Sequence, residues 1–342
     1  MGMRRGSGVS GCGNYGNRWS PSLASRLSAL PTTRPNFRAT LGKKPQHEGT
    51  KNKLILLMAA LMPIALSAAA PVQQVRTRTF TVTVQGSGKP VILIPGLSCS
   101  AEVWTETAEH LNAKGFKTHA ITIAGFGGTK PVQSDHLLMD VRDDLAAYVQ
   151  QNHLEHPVII GHSLGGFLAL WFAAQNPELA GKVISVDGLP FLAAVWDPKA
   201  TVESARAIGA QVRDGMRASG SAESQAQARQ TIESMVTSPA NRERELKVNL
   251  LANRNTAAQA MFEMMTTDLR PELSKISAPV LLIGSWIGYK SYGATHDGVS
   301  AQYKSQLDGV RQATVVLSDI SRHFIQLDDP EWFYQQLDEF LK

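Results

Sequence analysis

Cysteine is nearly absent from this chain: its 342 residues include two, Cys12 and Cys99. A disulfide framework is therefore excluded as the source of its stability, and a chain of this length can bury a core large enough to do without one. Metal-binding spacing is missing as well. The nine histidines are scattered, and none stands in an H-E-x-x-H run or beside a cysteine pair that would set ligands on one face, so neither metal nor cofactor is expected. Long hydrophobic runs are also lacking. The apolar stretch after Lys53, LILLMAALMPIALSAAA, is interrupted by Pro63 and falls short of the roughly 20 residues of a spanning helix, so no stable membrane anchor is expected after processing.

Acidic residues are scarce in one place only. Residues 1–53 hold ten Lys/Arg against Glu48 alone, so that segment is +9, whereas the remainder, with 24 basic and 28 acidic residues, is −4. The overall charge of +5 thus belongs to the leader, and no argument for nucleic-acid binding survives the subtraction. Lys51-Asn52-Lys53 followed by an apolar core and a small-residue end resembles a secretory signal over residues 51–70, with cleavage expected near Ala69 or Ala70. The expected location is therefore periplasmic or secreted. Residues 1–50, rich in Arg, Ser, Gly and Pro, read as a disordered leader or an overextended reading frame; a transit peptide is the alternative their composition leaves open.

Beyond the leader, strand and helix patterns alternate. Apolar strands are expected at 79–84, 91–94, 117–123, 158–160, 183–186, 280–283 and 314–317, with helices at 101–113, 135–151 and 330–341 between and after them. That order predicts an α/β fold, a mostly parallel sheet with helices on both faces. One interval breaks the rhythm: residues 189–278 show helical patterns and no strand, and a loop of that length is improbable. They read as a helical cap inserted into a core made of 71–188 and 279–342, after a strand's C-terminal end, where open α/β sheets bind ligands.

The run PVIIGHSLGG, Pro157 to Gly166, carries the most chemistry. A short β-branched strand ends in Gly161-His162-Ser163-Leu164-Gly165 and passes at once into Phe167, Leu168, Leu170 and Trp171 at helical spacing. A serine hydroxyl needs a base to take its proton, and a sharp strand-to-helix turn exposes it to base and substrate together. Glycines at 161 and 165 keep side chains out of that turn.

With the elbow, the alternating strands, the insertion, Pro95-Gly96-Leu97 after an earlier strand and RHFIQLDDPEWF at 322–333, the chain resembles the α/β-hydrolase-fold serine hydrolases over residues 77–342. The resemblance implies a triad in the order serine, acid, histidine, with Ser163 as nucleophile and His323 as base. Leu164 N–H directly follows the nucleophile and is one expected oxyanion donor; by resemblance the second is a backbone N–H after Gly96, with Leu97 the candidate. Many relatives carry His-Gly where this chain has Pro95-Gly96. Most place the acid after the strand at 280–283, but there the sequence reads Gly284-Ser285-Trp286-Ile287-Gly288. Two candidates remain, Asp187 one strand earlier, as in pancreatic-type lipases, and Asp297; Asp187 is preferred, and Asp319 trails because it is so near His323.

His162 is expected at the pocket wall, and Met261 and Met265, on one helical pattern with Phe262 and Met264, could line an adaptable apolar pocket or pack the cap on the core. The expected partner is a small-molecule acyl substrate, an ester, thioester or amide of small or medium size, cleaved through an acyl-enzyme. Serine at the elbow argues against the dehalogenases and epoxide hydrolases that resemble this fold but use aspartate. The competing reading is a non-catalytic or weakly catalytic ligand-binding protein on the same fold.

Overall fold

The computed structural model describes residues 72–218 and 221–342; the leader at 1–50 and the signal-like segment at 51–70 lie outside the described residues. Eight strands form one sheet: β1 Gln73–Arg76, β2 Phe80–Gly86, β3 Lys89–Ile94, β4 Phe116–Ile123, β5 Val158–His162, β6 Lys182–Val186, β7 Val280–Ser285 and β8 Ala313–Ser318. Their spatial order is β1-β2-β4-β3-β5-β6-β7-β8. β2 pairs antiparallel with both β1 and β4, and every pair from β4 onward to β8 in that order is parallel.

Burial comes from that arrangement. A parallel strand covered on both faces has no wet side, and β7 is buried along its whole length. In β3 successive side chains part company: Val91 and Leu93 enter one core cluster, Ile92 and Ile94 the other. β2 instead alternates, with Phe80, Val82 and Val84 buried and Thr81 and Thr83 half-buried. Strand β1, QQVR, is exposed at the sheet edge; it has no apolar pattern, which is why the sequence reading begins one strand later.

On one face lie α2 Leu137–Gln151, α3 Leu164–Gln175 and α8 His296–Gln306, which contribute Leu138, Val141, Leu145, Phe167, Phe172, Val299 and Tyr303 to the first cluster. On the other lie α1 Thr105–Ala113, reached through a 3-10 turn at Ala101–Trp104, and α10 Pro330–Leu341, which bring Leu111, Phe333 and Leu337 to the second. Helix α3 is buried over most of its length, as a helix between sheet and neighbouring helices must be. Helix α8 is an addition to the expected elements; its sequence, HDGVSAQYKSQ, carries too few apolar positions to announce itself.

Between β6 and β7 come α4 Val202–Ala218, α5 Ser221–Met235, α6 Pro239–Leu250 and α7 Arg254–Thr266, with 3-10 turns and, among the described residues, no strand. They divide between the two faces. Ala257, Ala260 and Met264 of α7 join the first cluster, while Ile232, Val236 and Leu246 of α5, α6 and the turn between them join the second. Helix α7 also caps α2: the half-buried Glu263 carboxylate accepts the N–H groups of Leu137 at 2.9 Å and Leu138 at 2.8 Å, donors a helix start leaves without intrahelical partners. Burial raises the Glu263 pKa, and these N–H donors work against that shift. Among the described residues no helix is long and apolar enough to cross a membrane.

Candidate active site

Ser163 stands at the C-terminal end of β5 and directly before α3, with φ 54° and ψ −115°. That left-handed φ is uncommon for a residue with a side chain, and it is held from both sides. Ser163 N–H donates to Val186 O of β6 at 2.8 Å, and Phe167 N–H donates to Ser163 O at 3.0 Å. Gly161 makes the turn possible: a Cβ there would collide with the Gly165 carbonyl.

His323 lies between β8 and the short helix α9, Ile325–Asp328. Its Nδ1 is 2.7 Å from Asp187 Oδ2; the carboxylate is 4% exposed and the imidazole 21%. Asp187 follows β6 directly with φ 49°, and its N–H donates to Ile283 O at 2.8 Å. Its other oxygen, Oδ1, accepts the Ser285 N–H at 3.1 Å and the Tyr303 hydroxyl at 3.0 Å. Three donors converge on one buried carboxylate, which fixes its place against the imidazole. Burial first, then the Asp187 charge, drives the Tyr303 pKa far up, so its hydroxyl keeps the proton it donates. Behind it Tyr289, pushed up to about 12 by burial and by Asp187, shares a hydrogen bond with Tyr303.

The other acidic candidates lie elsewhere. Asp297 sits in the first turn of α8 with a fully exposed side chain, 3.1 Å from His296 Nδ1. Asp319 accepts the Trp286 indole N–H at 3.1 Å. Thus the structure brings His323 together with Asp187, and Ser285, the last residue of β7, contributes its N–H to that carboxylate.

His162 is 1% exposed and so lies beneath the site instead of along a wall. Its ring packs on His323 and Phe324 at centroid separations of 4.7 and 4.5 Å and meets Trp104 edge-on at 6.5 Å. Burial, with His323 adding to it, holds its ionisation well below the ordinary histidine range. The neutral ring then donates Nε2–H to the His323 carbonyl at 3.1 Å, and its buried Nδ1 has no hydrogen-bond partner. The loop after β3 passes over this pair: a Cβ on Gly96 would stand 2.8 Å from His162 Nδ1 and 3.4 Å from Ser163 Cβ. Leu97, half-buried, comes next in that loop. Leu164 opens α3 and is fully buried, where the helix dipole and the open N–H groups of the first turn favour negative charge. Cys99 is buried nearby, and burial, reinforced by Glu245, raises its thiol pKa far above the ordinary value, so it is an inert packing group.

Met261 is half-buried against the first core cluster. Met265 is buried and packs on α4, where Gly209 leaves room: a Cβ at 209 would stand 3.6 Å from Met265 Cβ. Among the described residues no group of three or more His, Cys, Asp or Glu is gathered as a metal would need.

Fold and site define a class, an α/β protein that presents a serine on a strand-to-helix elbow and a histidine–carboxylate pair at the same C-terminal edge of its sheet. The chain belongs to the alpha/beta hydrolase fold family, whose model matches residues 89–330. Among curated proteins it is 24% identical over 277 residues, 75% of this chain and 96% of the relative, to a pimeloyl-[acyl-carrier protein] methyl ester esterase of Vibrio cholerae. It is 26% identical over 114 residues, 33% of this chain, to a 2-(acetamidomethylene)succinate hydrolase of Mesorhizobium japonicum, of which it spans 41%. Several other curated relatives are likewise spanned over only about two fifths of their length. Among solved structures it superposes on the enol-lactonase of Burkholderia xenovorans LB400 with TM-score 0.63 and 17% identity, covering 77% of this chain and 96% of that one; at that identity the likeness concerns the fold.

Proposed function

We propose that this protein is an exported serine hydrolase that cleaves a small or medium carboxylic ester, thioester or amide through an acyl-enzyme. The observation that carries the reading is the 2.7 Å contact between His323 Nδ1 and the buried Asp187 carboxylate, at the sheet edge where Ser163 occupies its left-handed turn. In this reading Ser163 Oγ attacks the carbonyl carbon while His323 Nε2 takes its proton. Asp187 holds the imidazole by Nδ1–H and stabilises the imidazolium. The N–H groups of Leu164 and Leu97 receive the oxyanion. Collapse of the tetrahedral intermediate returns the proton to the departing alcohol, thiol or amine. Water, deprotonated by the same imidazole, then releases the acid and restores Ser163.

The names of relatives support ester chemistry: one is a methyl ester esterase and one structural neighbour an enol-lactonase. Residues 189–278 serve here as the cap that selects the substrate, and 51–70 as the export signal. A fluorophosphonate probe tests the chemistry without a known substrate. Labelling of the wild type, abolished in Ser163→Ala and His323→Ala, is expected; a folded wild type that does not label would favour a ligand-binding protein on the same fold. A panel of esters of graded acyl length, with one amide and one lactone, then defines the substrate class.

A further inference from the structure

The histidine loop is held from outside by the α5–α6 corner. Asp328, at the end of α9, accepts Thr237 N–H on both oxygens at 2.8 and 3.0 Å and reaches Ser238 N–H at 3.5 Å. The same carboxylate accepts Arg322 N–H at 3.1 Å, the amide immediately before His323. Arg322 Nη1 donates to Glu233 O at 2.6 Å, Phe324 N–H to Met235 O at 3.3 Å, and Asn241 Nδ2 to Leu327 O at 3.0 Å. Underneath, Ile232, Val236 and Leu246 share a buried cluster with Phe324 and Ile325. On the inner side His162 holds the His323 carbonyl.

We infer that Asp328 is a positioning residue for His323, and that through it the α5–α6 corner forms part of the mount of the catalytic base; this rests on the reading of His323 as general base. A catalytic imidazole must stay in register with both its serine and its carboxylate, and misplacement by about 1 Å costs on the order of 100-fold in rate. His323 stands in a short loop, where its own backbone offers little to fix it. One carboxylate that binds the amide before it and two amides of a separate helical corner removes that freedom. The inserted helices therefore have two duties: α7 caps α2, and α5–α6 brace the base.

The test measures the rate of fluorophosphonate labelling of Ser163 per folded molecule, from pH 5 to 9, in the full chain. Asp328→Asn keeps the shape and weakens the acceptor. We expect labelling about 10- to 100-fold slower across this range. Asp328→Glu is expected to recover part of the rate. Asn241→Ala, which removes one donor at the margin of the corner, guards against misfolding and should show a smaller change in the same direction. Lys275→Ala breaks an exposed ion pair with Glu272 outside that corner, at 2.5 Å, and should leave the rate unchanged. A wild-type rate in folded Asp328→Asn and Asn241→Ala would overturn the inference, as would an equal loss in Lys275→Ala. A folded wild type that fails to label would instead overturn the hydrolase reading on which the inference rests.

Discussion

Asp187 and His323, 136 residues apart in the chain, meet through a 2.7 Å Nδ1–Oδ2 contact. Asp187→Asn should preserve the fold and lower kcat by about 1,000- to 10,000-fold, because an amide in this position misorients the imidazole and no longer balances its charge. Asp297→Asn, at a fully exposed side chain, should leave turnover near wild type. The reverse pattern, in ester hydrolysis or probe labelling, would remove Asp187 from the mechanism.

Tyr303 supplies the hydroxyl bonded to Asp187 Oδ1 at 3.0 Å. Tyr303→Phe leaves the Ser285 N–H and the His323 contact in place. The expected loss is about 1.5–3 kcal/mol of stability, the usual worth of a hydrogen bond to a charged group, with a several-fold fall in kcat. Urea unfolding and steady-state rates on the same preparation would check both.

Gly161→Ala should damage the elbow more than its single methyl suggests. The added Cβ meets the Gly165 carbonyl, and backbone cannot swing aside as a long side chain does. A cost of about 3 kcal/mol, at the upper end for overpacking, is expected in thermal unfolding, together with loss of labelling. A variant of wild-type stability would show that the turn has slack.

Glu245 of α6 is 3% exposed, with Arg244 Nε at 3.3 Å and Glu102, Glu106 and Cys99 in its field. Burial raises its pKa from 4.5 to about 7, and Arg244 offsets only part of this. The folded state therefore holds a proton that the unfolded chain has released between those values, so stability falls as pH rises through this window. Glu245→Gln should stabilise the protein at pH 8 by on the order of 3 kcal/mol and have little effect near pH 4.5. Melting temperatures at the two pH values would decide; equal shifts would mean that the carboxyl is not protonated in the fold.

Legibility differed by residue for physical reasons. Ser163 could be read because a strand, a turn and a helix must succeed one another within a few residues for the elbow to exist. The other strands were plain too: β3, β5 and β7 because burial on both faces demands unbroken Val, Ile and Leu, and β2 because its apolar residues alternate. β1 was not, because an exposed edge strand need not be apolar. Tyr303 lies on α8, which the sequence did not announce, and no local signal tells that its hydroxyl reaches a carboxylate after another strand. Asp328 likewise resembles an ordinary residue at a helix start.

The sequence by itself determined the parallel α/β plan and the elbow serine, because local periodicity and turn chemistry act over a few residues; the late histidine came from the resemblance of residues 322–333 to the hydrolase family. Only the tertiary structure decided that Asp187 and not Asp297 faces His323, that Ser285 and Tyr303 hold that carboxylate, and that a corner of the inserted helices braces the histidine loop. Those relations join residues about 90 to 140 positions apart. They arise from strand order and from what each strand's end meets, which no window of the sequence contains.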